Sequence, residues 1–277
     1  MAIDIDDAFV KQYESEVHTA YQRRGSLLKN TVRYKNNVTG ESTTFQKVGT
    51  GTATTKSRNG NVVPMNVDHT PVECTLADYY APEYVDALDE LKINHNEREV
   101  MVNAGAFALG RKTDDLIITA LDGATTHTDS WNLSATAIGD LTDNVIALGS
   151  RNVPIEPGET FGVVSWQLWG KLMGLTQFAS GDYVGMDLPF KQAIGPARMW
   201  MGVIWMPHSG LTINGSNVRT NFIYHRTAVG HASGQEVKTM IDWIPEKVAH
   251  LVNGCMSQGS VLIDTIGVQQ LLVTESA

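Results

Sequence analysis

Between Thr31 and Leu76 apolar residues alternate with polar ones over short runs. Val63, Met65 and Val67 are separated by Pro64 and Asn66, and Val72, Cys74 and Leu76 by Glu73 and Thr75. A period of two predicts half-covered strands. Turn clusters divide the runs at Asn36-Asn37, Thr39-Gly40, Gly49-Thr50-Gly51 and Arg58-Asn59-Gly60-Asn61. A structureless loop of this length is rare inside a compact domain, and an isolated two-stranded ribbon is marginal in water. The segment therefore predicts a protruding hairpin with little core of its own, whose missing partner surface belongs to another copy of the chain.

On either side the period changes. Asp6 to Arg24 places Phe9, Tyr13, Val17 and Ala20/Tyr21 on one helical stripe, with Asp4, Asp6 and Asp7 at the positive end of the dipole. Arg23 and Arg24 stand at its negative end, before Gly25 as a stop. A longer helix is predicted from about Asp86 to Leu121, with Val100, Met101, Ala104, Phe107, Ala108, Leu116, Ile117, Ala120 and Leu121 as apolar positions. That is well above average helix length. The Thr/Ser-rich stretch Ala124–Ser134 reads as a loop, and Asp140–Ser150 as a short helix. Phe161–Ser165 reads as a buried strand before a helix over Trp166–Leu175, and Met199–Met206 as a fully buried strand or a sheet core. Strands follow at Asn221–His225, Lys238–Ile244 and Ala249–Val252. Gly259–Ile263 is expected to fold back on the last of these as a hairpin, and Gly267–Val273 to close the chain. The mixture is α+β.

Charge sharpens the reading of the ribbon. Thr31 to Asn61 holds five bases, Arg33, Lys35, Lys47, Lys56 and Arg58, against Glu41 alone. Glu73 to Glu99 holds eight acids, Glu83, Asp86, Asp89 and Glu90 among them, opposed by Lys92 and Arg98. A basic ribbon lying on a neighbour's acidic face would fix register and partner choice. Two unrelated solvated faces would show the same charges. The whole chain of 277 residues carries a net charge of −9, so no general attraction to nucleic acid is expected. The acidic start lacks a signal core, no apolar run reaches the length of a membrane span, and Cys74 and Cys255 read as reduced, half-buried thiols.

Catalytic patterns are missing. The chain has no Gly-x-Ser-x-Gly elbow, no phosphate loop and no His-Glu-x-x-His helix. Gly49-Thr50-Gly51 lacks the third glycine of a dinucleotide loop, and Ser26-Leu27-Leu28-Lys29 lacks companion motifs. His225, His231 and the more distant His208 have no cysteine or carboxylate at ligand spacing and read as half-buried or surface histidines. Adjacent Asp114 and Asp115 read as helix surface, and Trp200 and Trp205 with Met199, Met201 and Met206 as core packing. No catalytic residue, cofactor or metal is expected.

The order of parts resembles the major capsid protein of tailed bacteriophages, the Hong Kong 97-like fold. Thr44–Gly49, Tyr84–Leu91, Ala108–Asp114 and the ending Ala249–Asn253 to Met256–Asp264 look like phrases of phage capsid proteins. The resemblance covers essentially the entire chain. It implies an N-terminal arm over 1–30, an extended loop over 31–76, a peripheral domain with its spine helix (Asn94–Leu121) over 77–134, a mainly axial domain over 135–240, and C-terminal strands returning to the peripheral domain over 241–277. It further implies pentamers and hexamers tiling an icosahedral head around double-stranded DNA, without sequence-specific contacts. Portal protein and, since the chain starts almost directly at the arm, a separate scaffolding protein are the expected partners. The protein would sit in the virion after assembly in the host cytoplasm, with no membrane. Phe9, Tyr13, Arg23, Arg24, the five loop bases and Glu83, Asp86, Asp89 and Glu90 are the expected inter-subunit contacts. The same fold forms encapsulin compartments. A small hydrolase with an unrecognised site and a tail protein are the readings from other classes.

Overall fold

The computed structural model describes residue 23 and residues 25–90, 97–176 and 197–275, without the side chains of Asp89 and Glu90. The helix expected over Asp6–Arg24, with Phe9, Tyr13 and Arg24, lies outside these residues, as does Asn94. The elements in chain order begin with β1 (Arg33–Lys35), β2 (Ser42–Val48), β3 (His69–Thr75), β4 (Ala77–Asp86), α1 (Ala87–Glu90) and α2 (Glu97–Asp122). Next come β5 (Thr128–Asn132), α3 (Ile138–Ser150), β6 (Thr160–Val164), α4 (Trp166–Met173), β7 (Arg198–Trp200) and β8 (Val203–Pro207). The last four strands are β9 (Val218–His225), β10 (Val229–Ile244), β11 (Ala249–Leu262) and β12 (Val268–Thr274).

Two compact units share these elements. The first comprises Met1–Gly25, Asp78–Lys112 and Gln235–Met256, and the second Ser26–Ala77, Thr113–Gly234 and Ser257–Ala277. The segment 241–277 is thus divided between them: β12 stands in the second unit, between β5 and β9.

The second unit is built on a six-stranded sheet in the order β5-β12-β9-β6-β8-β7. Both faces are covered. Phe161 and Val163 of β6 and Phe222 and Tyr224 of β9 join Ile117, Ile118 and Leu121 of α2 in one core. Val164 and Ile223 point the other way and join Leu141, Val145 and Leu148 of α3 and Leu168, Trp169 and Leu172 of α4. Alternate residues of one strand thus feed two cores, and this is why these strands read as continuous apolar runs. The helices are tied at their ends. Ser165 Oγ accepts from Leu168 N at 3.1 Å to cap α4, and Gln270 Nε2 donates to the Asp122 carbonyl at 3.0 Å at the end of α2.

Three sequence expectations are corrected here. Met199–Met206 is two strands, not one: β7 and β8 pair antiparallel around Met201 and Gly202, whose φ angles are 52° and 76°. Two successive positive φ values are what a tight hairpin requires, and methionine gives no sign of it. Ala124–Ser134 is not all loop, because β5 adds in parallel to β12 over Gln270↔Thr128 to Thr274↔Asn132. Ala249–Val252 and Gly259–Ile263 do not fold back on each other but, through Leu262, form one strand, β11, lying between β10 and β4 in a four-stranded sheet ordered β1-β10-β11-β4.

The first unit holds the outer parts of that sheet and the first half of α2. Val85, Leu109, Ala249, Val252 and Met256 are its buried apolar side chains among the described residues. Leu109 lies against Gly254, where an added Cβ would stand 3.1 Å from Leu109 Cδ1.

Candidate assembly interface

The ribbon forms as its period predicts, but only over part of its length. β2 and β3 pair antiparallel from Ser42↔Thr75 to Val48↔His69, and Gly49 N donates to the Asp68 carbonyl at 2.8 Å. Residues 50–67 belong to no strand, so the alternating Val63–Val67 run is exposed chain, not ladder. Its apolar side chains stand in the open: Val62, Val63 and Met65 are 73%, 57% and 52% exposed.

The root differs from the tip. Phe45 and Cys74 are buried with Ala232 and Ile263, against Val38, Val72, Leu76 and Val261. The expectation of little core therefore fails at the root and holds for residues 50–67. Two glycines make room for this packing. A Cβ on Gly230 would stand 2.7 Å from the Phe45 ring, and one on Gly259 would stand 2.1 Å from the Thr75 carbonyl oxygen. Burial pushes the Cys74 thiol pKa up, and neither cysteine is in a disulfide.

Where the chain enters the second unit, a buried carboxylate holds it. Asp114 of α2 has an exposure of 0% and accepts from Ser26 Oγ, from Leu27 N at 3.1 Å and from Leu28 N at 3.0 Å. His208 Nε2 lies 3.2 Å from Asp114 Oδ2. Gly210 N approaches His208 Nδ1 at 3.1 Å, so Nδ1 is the acceptor and the ring proton belongs on Nε2, pointing at Asp114. Burial alone would push the Asp114 pKa up. The donors, His208 foremost, outweigh it and hold the carboxyl below its ordinary value. Nearby, Thr31 Oγ1 donates to the Leu28 carbonyl and bonds the hydroxyl of Tyr224, whose pKa burial raises.

This corrects the placement of Asp114 on the helix surface. The signal was available: Asp114 precedes Ile117, Ile118 and Leu121 by three, four and seven positions, which puts it on the buried stripe. His208 and His231 are buried as well, and His225 nearly so, rather than half-buried or at the surface. They serve separate places. His225 Nδ1 meets Thr227 Oγ1, and His231 Nδ1 meets Ser260 Oγ while its ring stacks on Tyr34. No group of three or more His, Cys, Asp or Glu among the described residues could hold a metal ion, and no described helix is long and apolar enough to cross a membrane.

The five loop bases fall into two sets. Arg33 Nη1 donates to the Gln46 carbonyl and its guanidinium lies over Phe45, Lys35 Nζ donates to Thr43 Oγ1 at 2.6 Å, and Lys47 pairs with Asp264 at 2.9 Å. These three brace the root. Lys56 and Arg58 stand exposed at the tip. Arg23 Nη2 donates to the Arg111 carbonyl. Glu83 and Asp86 are exposed on β4, and Asp86 Oδ1 accepts from Leu88 N at the start of α1. The Lys47–Asp264 pair is partly solvated, so Lys47→Ala is expected to lower subunit stability by less than about 1 kcal/mol. Urea unfolding midpoints of wild type and variant test this.

Comparison with known proteins bears on what such a ribbon serves. A family model described as phage capsid protein matches residues 5–275. No curated protein matches the chain. Among solved structures, the capsid of the cyanophage P-SCSP1u superposes with a TM-score of 0.77 at 15% identity, over 100% of this chain and 96% of that one. The mature capsid of bacteriophage PhiM1 gives 0.71 at 13% identity over 97% and 93%. A chain of Mycobacterium phage Che8 gives 0.70 at 15% over 95% and 97%. At such identities the likeness is one of fold.

Proposed function

Because the chain belongs to the phage capsid protein family and has the Hong Kong 97-like fold of a major capsid protein, we propose that it assembles into pentamers and hexamers of an icosahedral head around double-stranded DNA. The family and fold are those of a structural component of the virion. The observation that carries the assembly reading is the ribbon. Its root is packed and braced within the subunit, while its tip presents Lys56, Arg58, Val62, Val63 and Met65 to the outside. A surface of that kind on a lone subunit is a liability, and in a shell it becomes a contact.

The domain parts keep their assignment in this reading. The arm is the segment to Asn30, the extended loop runs over 31–76, and the spine helix is α2. The six-stranded sheet gathers around the five- and sixfold centres. Phe9, Tyr13, Arg23 and Arg24 of the arm and Glu83, Asp86, Asp89 and Glu90 of the acidic stretch are the further contact residues. Net negative charge suits a wall along which DNA slides without sequence-specific grip. Scaffolding and portal proteins are the partners that set size and the DNA entrance, and the site of assembly is the host cytoplasm.

Negative-stain microscopy of the purified protein beside a sizing column tests the reading. Closed shells, or rings of five and six, are the expected result. A protein that stays monomeric even in phage lysate would end it. Charge reversal locates the contact: Lys56→Glu with Arg58→Glu should reduce shell yield at least about tenfold, a loss of roughly 1.4 kcal/mol per contact, and leave subunit helicity unchanged. Wild-type shell yield from that variant would remove the tip charges from the interface.

A further inference from the structure

Three Asn-Gly pairs occur in the chain, at Asn59-Gly60, Asn214-Gly215 and Asn253-Gly254. In such a pair the glycine nitrogen can close on the asparagine side-chain carbonyl, because no Cβ hinders its approach. The fold treats the three differently. Asn214 is held on every side. Its Oδ1 accepts from Ser216 N and Val218 N at 3.0 Å each, its own N donates to the Val218 carbonyl, and its carbonyl accepts from Asn217 N. Asn253 lies inside β11, between β10 and β4, where Gly254 is packed against Leu109. Asn59 stands exposed at the ribbon tip, and no described group bonds its side chain. A single bond restrains the pair among the described residues, from Gly60 N to the Ser57 carbonyl at 3.0 Å.

We propose that Asn59 is a site of spontaneous chemical modification, converted by water to aspartate and isoaspartate while Asn214 and Asn253 persist. The Gly60 nitrogen loses its proton to hydroxide and attacks Asn59 Cγ, placing a negative charge on Oδ1. Collapse of that adduct expels Nδ2, which takes a proton from water and leaves as ammonia. A cyclic imide remains, closed by the new N–Cγ bond. Water then adds to one imide carbonyl. Cleavage of N–Cγ restores the ordinary backbone and yields aspartate. Cleavage between the Gly60 nitrogen and the Asn59 backbone carbon yields isoaspartate. The sum is amide plus water to carboxylic acid plus ammonia, with no redox partner. Arg58 beside Asn59 and Lys56 three positions before it supply positive potential for both anionic stages. At Asn214 the same path must first open the turn, and at Asn253 it must pull Gly254 out of a strand flanked on both sides.

The product matters because of where it forms. Residues 50–67 contain two bases, Lys56 and Arg58, and no acid. A carboxylate at position 59 is ionised above about pH 4, so it halves the net charge of the tip. Isoaspartate also lengthens the backbone of the Ser57–Gly60 turn. Where the shell reading above holds, a subunit aged in this way is a poorer assembler than a new one, and this consequence rests on that reading. The modification itself does not.

Peptide mass spectrometry of the folded wild-type subunit, aged at mildly alkaline pH, tests the proposal by following each amide-to-acid conversion. Asn59 should convert at least about tenfold faster than Asn214 or Asn253, the factor set by the bonds those two must break first. In the urea-unfolded chain the three should convert at similar rates. Folded protein in which Asn214 or Asn253 keeps pace with Asn59 would overturn the proposal. So would an Asn59 that lags its own unfolded rate by about tenfold or more. A second measurement reads the consequence. Asn59→Asp carries one of the products from the start, and its shell yield should fall below that of Asn59→Gln, which keeps the tip's charge. Equal yields would overturn the consequence for assembly and leave the modification site standing. A wild type that forms no shell, even in phage lysate, would overturn the shell reading, and the peptide masses decide the site regardless.

Discussion

Asp114→Ala is expected to destabilise the subunit by about 3–5 kcal/mol, because several buried neutral donors lose their acceptor at roughly 1–3 kcal/mol each. The substitution strands the Leu27 and Leu28 N–H groups, Ser26 Oγ and His208 Nε2 in a site that excludes water. All four donors lie within the second unit, at the point where the chain turns toward the ribbon. Urea unfolding of the free subunit measures the loss, and a change under about 1 kcal/mol would refute it. The pH dependence has a definite sign. The folded carboxyl titrates below its unfolded value of about 3.9, so the anion's contribution is complete above that value and is lost as pH falls through it toward the folded pKa. Wild type should therefore lose stability on acidification below about pH 4. Asp114→Asn should start lower and lack this part of the acid decline.

The second large effect is expected at Gly259. A Cβ there would stand 2.1 Å from the Thr75 carbonyl oxygen and 3.4 Å from Cys74 Sγ. The obstacle is backbone, so the neighbour cannot rotate away as a side chain could, and β11 and the end of β3 must separate. Gly259→Ala is expected to destabilise by about 3 kcal/mol, the upper end of overpacking costs. Limited proteolysis should show faster cleavage between residues 42 and 75, because the ribbon's root loses its seat. Gly170→Ala is the control: it lies on the exposed side of α4 with nothing within 4 Å of the added Cβ. Helix propensity predicts a gain of up to about 1 kcal/mol there. Equal losses at both positions would refute the account of Gly259.

These two residues also mark where sequence reading works and where it stops. The β2–β3 ribbon, α2, α3, α4 and β6 were legible, because each is bounded by turn residues or long enough for its period to show. The run Met199–Met206 carried no sign of its turn, since the reversal rests on Met201, a residue with no preference for positive φ. β5 was hidden because its parallel partner, β12, stands about 140 residues away and the strand itself, Thr128–Asn132, is polar and mostly exposed. Beside Asp115, Asp114 reads as helix surface, although its spacing to Ile117 and Leu121 puts it on the buried stripe. At the interface, sequence pooled five bases into one face. Their separation into a bracing set (Arg33, Lys35, Lys47) and a free set (Lys56, Arg58) depends on partners as remote as Asp264.

The position of β12 governs when this protein can become itself. It is the fifth of the six strands of its sheet to pair from the β7 edge, yet it carries residues 268–274, and it stands between β5 and β9. During translation β5 and β9 emerge long before the strand that joins them. The first unit likewise waits for Gln235–Met256. The sheet of the second unit therefore stays incomplete while residues 226–267 are made, and it closes only once β12 has emerged.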